Sequence, residues 1–323
     1  MAEDIRIAIA FGPVPSRRLG KSLGVNNIPP KICTYSCVYC QLGRSLKMTA
    51  VRQRFYEPEK IFEQVREKVI EVKSKGEEID YITFVPDGEP TIDVNLGKEA
   101  SLLKELGIPL AIITNSSLIW DEGVQEDLMN FDLVSVKVDA VSKEIWRKVN
   151  RPIKFLDLDK ILENIRIFSM KFNGILFSET MLIDNIDYGN EFEKIAAYLS
   201  SLENLKCAYI SVPTRPPAED WARPPGEELL NEAFQIFKNF LGNKVELLIG
   251  YEGDAFAYSG DIEKDILSIT AVHPMREESI KRLVEREGEE FSKVENLLRR
   301  GLIKKVYYQG HVYYIRNLKN LLP

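Results

Sequence analysis

Residues 31–43, KICTYSCVYCQLG, hold three of the chain's four cysteines, and the fold is read outward from them. Cys33, Cys37 and Cys40 follow a Cys-x3-Cys-x2-Cys spacing. Three thiolates on one short loop suit three irons of a [4Fe–4S] cube, because thiolates are the usual ligands of such clusters. No fourth cysteine lies nearby, so one iron is left open to hold a substrate or cofactor directly. Structural zinc is the competing reading. It usually takes four ligands in two pairs, and no second pair is present: the only histidines, His273 and His311, lie far downstream. A redox dithiol needs two cysteines and leaves the third unexplained. Clustered thiols in a 323-residue acidic chain also exclude a secreted disulfide scaffold, which packs more cysteines into fewer residues.

Upstream, residues 11–30 are dense in Gly, Pro, Ser and Arg, without helical or strand period, and are read as an ordered loop. Downstream, strand and helix alternate about six times. The segment 58–75 spaces Ile61, Phe62, Val65, Val69 and Ile70 as one helical face, and Gly76 ends it. Apolar strands are predicted at 81–85, 110–113, 133–138, 174–182, 208–212 and 245–249, with helices between them. These strands are apolar throughout, as buried parallel strands are. The expected fold is α/β, a parallel sheet wrapped by helices, open or closed into a partial barrel. Ligands in such sheets sit beyond the carboxyl ends of the strands. Polar residues fall there five times: Asp87-Gly88-Glu89-Pro90, Thr114-Asn115-Ser116-Ser117, Lys137 with Asp139, Glu179-Thr180, and Pro213-Thr214-Arg215.

After Gly260 the pattern changes to three short helices, at 262–270, 276–287 and 293–300, and a hairpin around Gln309-Gly310-His311. Three helices and a hairpin predict a small winged helix-turn-helix domain, 259–323, after a barrel domain, 1–258. From Asp261 onward there are twelve Lys/Arg and ten Asp/Glu, so this part is mildly positive in a chain of net charge −6. Lys293, Arg299, Arg300, Lys304 and Lys305 are a candidate basic face for RNA; a protein partner is equally consistent with so small a charge. The overall acidity argues against a whole-protein nucleic-acid coat. No targeting signal and no apolar run of roughly 20 residues is seen. A cytoplasmic protein with no membrane partner is expected.

Cys-x3-Cys-x-aromatic-Cys, here with Tyr39 before Cys40, resembles the hallmark of the radical S-adenosylmethionine (SAM) superfamily. The resemblance covers roughly residues 1–250 and implies a partial (β/α)6 barrel carrying one [4Fe–4S] cluster and SAM. It also implies a low-potential electron donor of flavodoxin or ferredoxin type, and cleavage of SAM to a radical that abstracts hydrogen from substrate. Gly88-Glu89-Pro90 resembles the family's GGEP segment, which binds the SAM amino group, with Asp87 in place of the first Gly. Thr114-Asn115-Ser116 stands where relatives carry TNG beside methionine and ribose, with Ser for Gly. By the same resemblance Asp139 accepts a ribose hydroxyl, and the Tyr39 backbone lies near adenine. GPVPSRRLGKSLGVN (12–26), VPTRPPAEDWARPP (212–225), YEGDAF (251–256) and ITAVHPM (269–275) look similar to a branch related to the wyosine-forming tRNA enzymes. On the substrate side this marks Arg17, Arg18, Asn26, Lys137 and Arg215, and more weakly Arg223 in its Pro-rich surroundings. Cys207, His273 and His311 are given no role, and no catalytic acid or base is assigned. The expected function is hydrogen abstraction from an unactivated carbon, with RNA modification as one setting. A radical enzyme on a peptide, protein or small metabolite is the alternative, and an iron–sulfur redox-sensing transcription regulator a further one.

Overall fold

Short apolar strands that are buried on both faces need cover on each: Leu110, Ile112, Val134 and Leu176 share one core with the helices, while Ala111, Leu133, Phe177 and Tyr209 pack together on the opposite face. The computed structural model describes residues 8–250 and 261–317. The YEGDAF segment and the expected domain boundary lie outside the described residues.

The chain enters through a hairpin, β1 (Ala10–Ser16) and β2 (Gly20–Val25), where a loop was expected. The strands escape a periodicity search because β1 carries Pro13 and Pro15 and is bulged between Phe11 and Val14. Proline has no ladder N–H to give, so it is confined to sheet edges and bulges, and β1 is the edge strand. β2 instead pairs in parallel with a later strand. The cysteine loop therefore follows the first parallel strand of the sheet. Within it, β3 (Ile32–Cys33) and β4 (Lys47–Met48) form a two-residue parallel ladder.

The elements then run α1 (Pro58–Ser74), β5 (Tyr81–Phe84), α2 (Leu96–Leu103), β6 (Leu110–Thr114), α3 (Glu122–Leu128), β7 (Leu133–Lys137), α4 (Lys143–Val149), α5 (Leu158–Lys171), β8 (Ile175–Met181), α6 (Glu191–Ser200), β9 (Leu205–Ser211), α7 (Glu227–Leu241) and β10 (Val245–Leu248). The sheet order is β1-β2-β5-β6-β7-β8-β9-β10, parallel from β2 to β10. α1 buries Ile61, Val65, Val69 and Val72 on one face, while Ile70, read with that face, is 60% exposed. Leu23, Ile82, Phe84, Leu110, Ile112, Val134 and Leu176 are fully buried from successive strands. Each such side chain contributes about 1.5–3 kcal/mol of apolar burial. This continuous core fixes the strand ends that carry the polar groups.

The C-terminal part contains α8 (Ile262–Val272), β11 (Met275–Arg276), α9 (Glu277–Arg286), α10 (Ser292–Arg299), β12 (Ile303–Tyr308) and β13 (His311–Arg316). Its strands pair in the order β11-β13-β12. Ile266, Ile269, Ile280, Leu283, Val294 and Leu297 form its own core. It is nonetheless fastened to the sheet. Ala271 packs on Phe11 of the edge strand, and Arg286 pairs with Glu77 at 2.7 Å. The hydroxyls of Tyr308 and Tyr313 donate to the carbonyls of Pro213 and Thr214, both at 3.0 Å. Among the described residues no helix is long and apolar enough to cross a membrane.

Candidate active site

A cavity of about 330 Å3 opens at the carboxyl ends of the parallel strands. The five strand-end groups marked in the sequence reach it through Asp87, Thr114, Lys137, Glu179 and Arg215. Cys33, Cys37 and Cys40, all free thiols, line the same wall. The cysteine loop is held by backbone bonds to the first strand-end segment. Lys31 N donates to Asp87 O at 2.6 Å, and Glu89 N to Ile32 O at 3.1 Å. Gly88 is required there, since a Cβ would collide with the Ile32 carbonyl. It is the point of close packing between the cysteine loop and the sheet.

Burial pushes all three thiols up, Cys37 to about 12, and the nearby carboxylates Glu89 and Asp139 add to this for Cys33 and Cys37 respectively. Such thiols ionise when a metal replaces their protons. Side-chain amides already face two of the sulfurs. Asn115 Nδ2 lies 3.5 Å from Cys33 Sγ and Asn150 Nδ2 3.5 Å from Cys37 Sγ. Lys31 Nζ and Asp87 Oδ1 are 3.4 Å apart on the cavity wall, yet neither Nζ nor Asp87 Oδ2 has a well-aligned hydrogen-bond partner. Among the described residues no three His, Cys, Asp or Glu side chains converge on a single ion position. Three thiols around one cavity, with buried polar atoms left over beside them, fit a polynuclear iron–sulfur group together with a polar ligand.

Glu89 is 1% exposed. Its Oε1 accepts from Thr91 N, Thr91 Oγ1 and Thr114 Oγ1 at 3.1, 2.6 and 2.6 Å, and its Oε2 from Asn115 N at 2.7 Å. Only Oε2 keeps capacity for a further donor. Asn115 is placed on the cavity wall by this bond. Ser116 is behind the wall, with φ 64°, the left-handed backbone that favours the glycine of relatives. Its hydroxyl accepts from Lys137 N at 3.1 Å.

Asp139 departs from the expected ribose contact. It is buried and is not among the residues lining the cavity. Its Oδ2 accepts from Tyr39 OH and Asn150 Nδ2, and its Oδ1 from Met181 N at 2.8 Å. With three bonds accepted from within and Lys137 Nζ 3.6 Å from Oδ1, it is an internal anchor beneath Tyr39. Tyr39 itself lines the cavity, with Lys137 Nζ 5.1 Å from its ring centroid.

The β7–β8 register sets Lys137 opposite Glu179. Lys137 Nζ donates to Glu179 Oε1 at 2.6 Å, Ser211 Oγ to the same oxygen at 2.9 Å, and Arg18 to Oε2. Burial alone would raise the Glu179 carboxyl, but the Lys137 and Arg18 cations outweigh it and hold the group well below the usual carboxylate range. Arg17 is an exposed cation on the same wall, 3.4 Å from Gly250 O. Arg215 donates to Gln41 Oε1 at 2.9 Å and meets His273 Nε2 at 3.0 Å. His273, given no role from the sequence, is buried. Its imidazole is held well below the ordinary value by burial and then by Arg215, so it is neutral.

Other marked residues are not brought to the cavity wall. Asn26 is buried and donates to Ala8 O at 2.9 Å. Arg223 donates to Asp220 O at 3.2 Å, away from the wall. Cys207 packs in β9 beside Phe177 and Tyr209, pushed up to about 11 by burial. His311 sits at the β12–β13 turn. Of the five C-terminal cations, Lys293 pairs with Glu289, Arg300 with Glu263 and Lys305 with Glu277, at 2.7, 2.9 and 3.3 Å. Lys31, Asn150 and Glu179 complete the site. Only Glu179 left a sequence signal, its place at the end of a predicted strand.

Residues 27–199 match the model of the radical SAM superfamily. A UPF0026 protein of Methanocaldococcus jannaschii is 50% identical over 97% of this chain and 98% of its own length. A UPF0026 protein of Helicobacter pylori is 34% identical over 69% of this chain and 71% of its own. Among solved structures, a radical SAM methyltransferase from Sphaerobacter thermophilus superposes with a TM-score of 0.55 at 16% identity, covering 71% of this chain and 66% of its own. TYW1, with a lysine–pyruvate adduct bound, gives 0.51 at 14% identity, covering 68% and 73%. At these identities the two structures share the fold.

Proposed function

The chain belongs to the radical SAM superfamily, whose enzymes use a [4Fe–4S] cluster and SAM, and from that premise we propose that Cys33, Cys37 and Cys40 hold the cluster through three irons. The observation that carries this is the meeting of the three thiols with the strand-end groups Glu89, Asn115 and Glu179 around one cavity. When bound, the reduced cluster supplies the electron that splits SAM and so yields a radical able to take hydrogen from substrate. The protein's own residues do the rest. Asn115 and Asn150 direct N–H groups at two ligand sulfurs. Glu89 Oε2 takes the SAM ammonium while its other bonds hold Thr91, Thr114 and Asn115 in place. Lys137 is shared between Glu179 and Asp139, and Glu179 between Lys137 and Arg18, a network that shapes the wall.

The substrate enters on the side of Arg17 and Arg215, which suits an anionic group, since guanidinium presents a fork to carboxylate or phosphate. Within this reading the C-terminal part is a winged helix that steadies residues 213–215 through Tyr308, Tyr313 and His273. Three of its five named cations are already ion-paired, which favours a small anionic substrate or an anionic end of a polymer over a broad RNA-coating face. A gel-shift series on bulk tRNA at two salt concentrations tests RNA modification directly, because phosphate contacts weaken steeply with salt.

The decisive test is anaerobic reconstitution with measurement of iron, sulfide and 5′-deoxyadenosine. Wild type and Cys207→Ala are expected to take up about four irons and four sulfides and to cleave SAM. Ala at Cys33, Cys37 or Cys40 is expected to abolish both. Equal loss of iron from Cys207→Ala and Cys37→Ala would sink the three-ligand assignment.

A further inference from the structure

Between Ile5 and Tyr56 the sequence contains no Asp or Glu, although the whole chain carries net charge −6. The same 52-residue stretch has nine Lys and Arg. The cysteine loop lies inside it. Just beyond the last cysteine the backbone turns outward and presents Leu46, Met48 and Val51, which are 59%, 36% and 69% exposed. Between and beside them stand Lys47 and Arg54, both exposed and, among the described residues, without a salt-bridge partner. Arg44 adds an exposed side chain, paired with Glu219 at 2.8 Å. Large exposed apolar side chains clustered with one sign of charge mark an interaction surface more often than chance exposure does.

This surface is wired to the cluster loop. Thr49 N donates to Cys33 O at 3.1 Å, and Leu46 N to Lys31 O at 3.0 Å. The β3–β4 ladder sets Met48 beside Cys33. Leu46, Lys47, Met48, Val51 and Arg54 do not line the cavity, so a partner seated on them would leave the SAM and substrate side open.

We infer that the 44–54 segment is the docking surface for an acidic one-electron carrier protein. The apolar side chains supply the contact, the cations select the negative partner, and the Thr49–Cys33 bond gives a short route to a ligand thiolate. In the transfer the carrier loses one electron and the cluster gains it; no covalent bond forms or breaks and no proton need move. The inference rests on the cluster assignment made above.

The test measures anaerobic reduction of the cluster-loaded full chain by bleaching near 400 nm. The reductant is an acidic flavodoxin in one arm and dithionite in the other. With flavodoxin at low ionic strength, Lys47→Glu/Arg54→Glu is expected to slow reduction about tenfold or more, and to flatten its dependence on salt. The neutral pair Lys47→Gln/Arg54→Gln should show a smaller change of the same sign. Dithionite should reduce wild type and variants to the same extent. If flavodoxin reduces the variants as fast as wild type, with the same salt dependence, the surface is wrong while the cluster stands. If dithionite bleaches nothing in wild type, the cluster assignment fails and the docking surface with it. Should charge reversal cost the protein its iron, the neutral pair decides alone: an unchanged flavodoxin rate overturns the inference.

Discussion

Replacing Glu89 with Ala separates a carboxylate that only binds ligand from one that also builds the site. The structure gives Glu89 four internal donors, two of them backbone N–H groups of Thr91 and Asn115. Truncation leaves both without an acceptor. An unsatisfied buried donor costs about 1–3 kcal/mol, so the expected loss of stability is about 2–6 kcal/mol, toward the lower end where water enters from the cavity to reach Asn115. The threonine hydroxyls can rotate and add little. Loss of the SAM ammonium bond, worth about 1.5–3 kcal/mol, weakens SAM affinity roughly tenfold to a hundredfold. Denaturant unfolding of the metal-free protein measures the first effect, and calorimetric titration of the cluster-loaded protein with SAM the second. Glu89→Gln retains an acceptor for Thr91 but turns an NH2 toward a donor, so an intermediate loss is expected. A stability change below about 0.5 kcal/mol, with SAM affinity alone reduced, would refute the structural half. Lost stability with unchanged SAM affinity would refute the binding half.

Asp139 and Asn150 are expected to shift the cluster's reduction potential in opposite directions. Asp139→Asn removes a negative charge near Cys37 and should raise the potential; Asn150→Ala removes the N–H facing Cys37 Sγ and should lower it, both read by a spectroscopically monitored redox titration. Glu277 is pulled down to about 2, chiefly by its bond from Lys281, with Tyr314 and Lys305 assisting against burial. Its folded value is below its unfolded one, so its contribution is complete above about pH 4.5 and is lost as pH falls toward 2; Glu277→Gln should flatten that part of the acid-unfolding profile. Removing residues 261–323 uncovers Phe11 and frees the Pro213 and Thr214 carbonyls. The truncated chain is therefore expected to have a lower melting temperature and a greater tendency to aggregate than the full chain, measured by thermal unfolding and light scattering. A truncated barrel as stable as the full chain would show that the packing is incidental.

The cysteine spacing, the helix–strand alternation and the polar strand ends were legible in the sequence because each is a local pattern. Thiol spacing is set along a loop, burial imposes apolar runs on central strands, and parallel strands repeat the same orientation, so their carboxyl ends share one side. What the sequence could not reveal is what each polar group spends its bonding capacity on. Asp139 stands at a strand end like Lys137, yet it turns inward to Tyr39 and Asn150 and leaves the wall. Glu89 carries the expected carboxylate, but three of its four internal bonds fall on one oxygen. His273 became part of the site only because α8 packs against the edge of the sheet and brings its imidazole to Arg215 across 58 residues. The β1–β2 hairpin was hidden for a related reason: prolines and a bulge erase local period, while pairing with β5, more than fifty residues away, supplies the hydrogen bonds that make β2 a strand. Local patterns report which residue types the fold needs; partners distant in sequence decide which of their atoms remain free to meet a ligand.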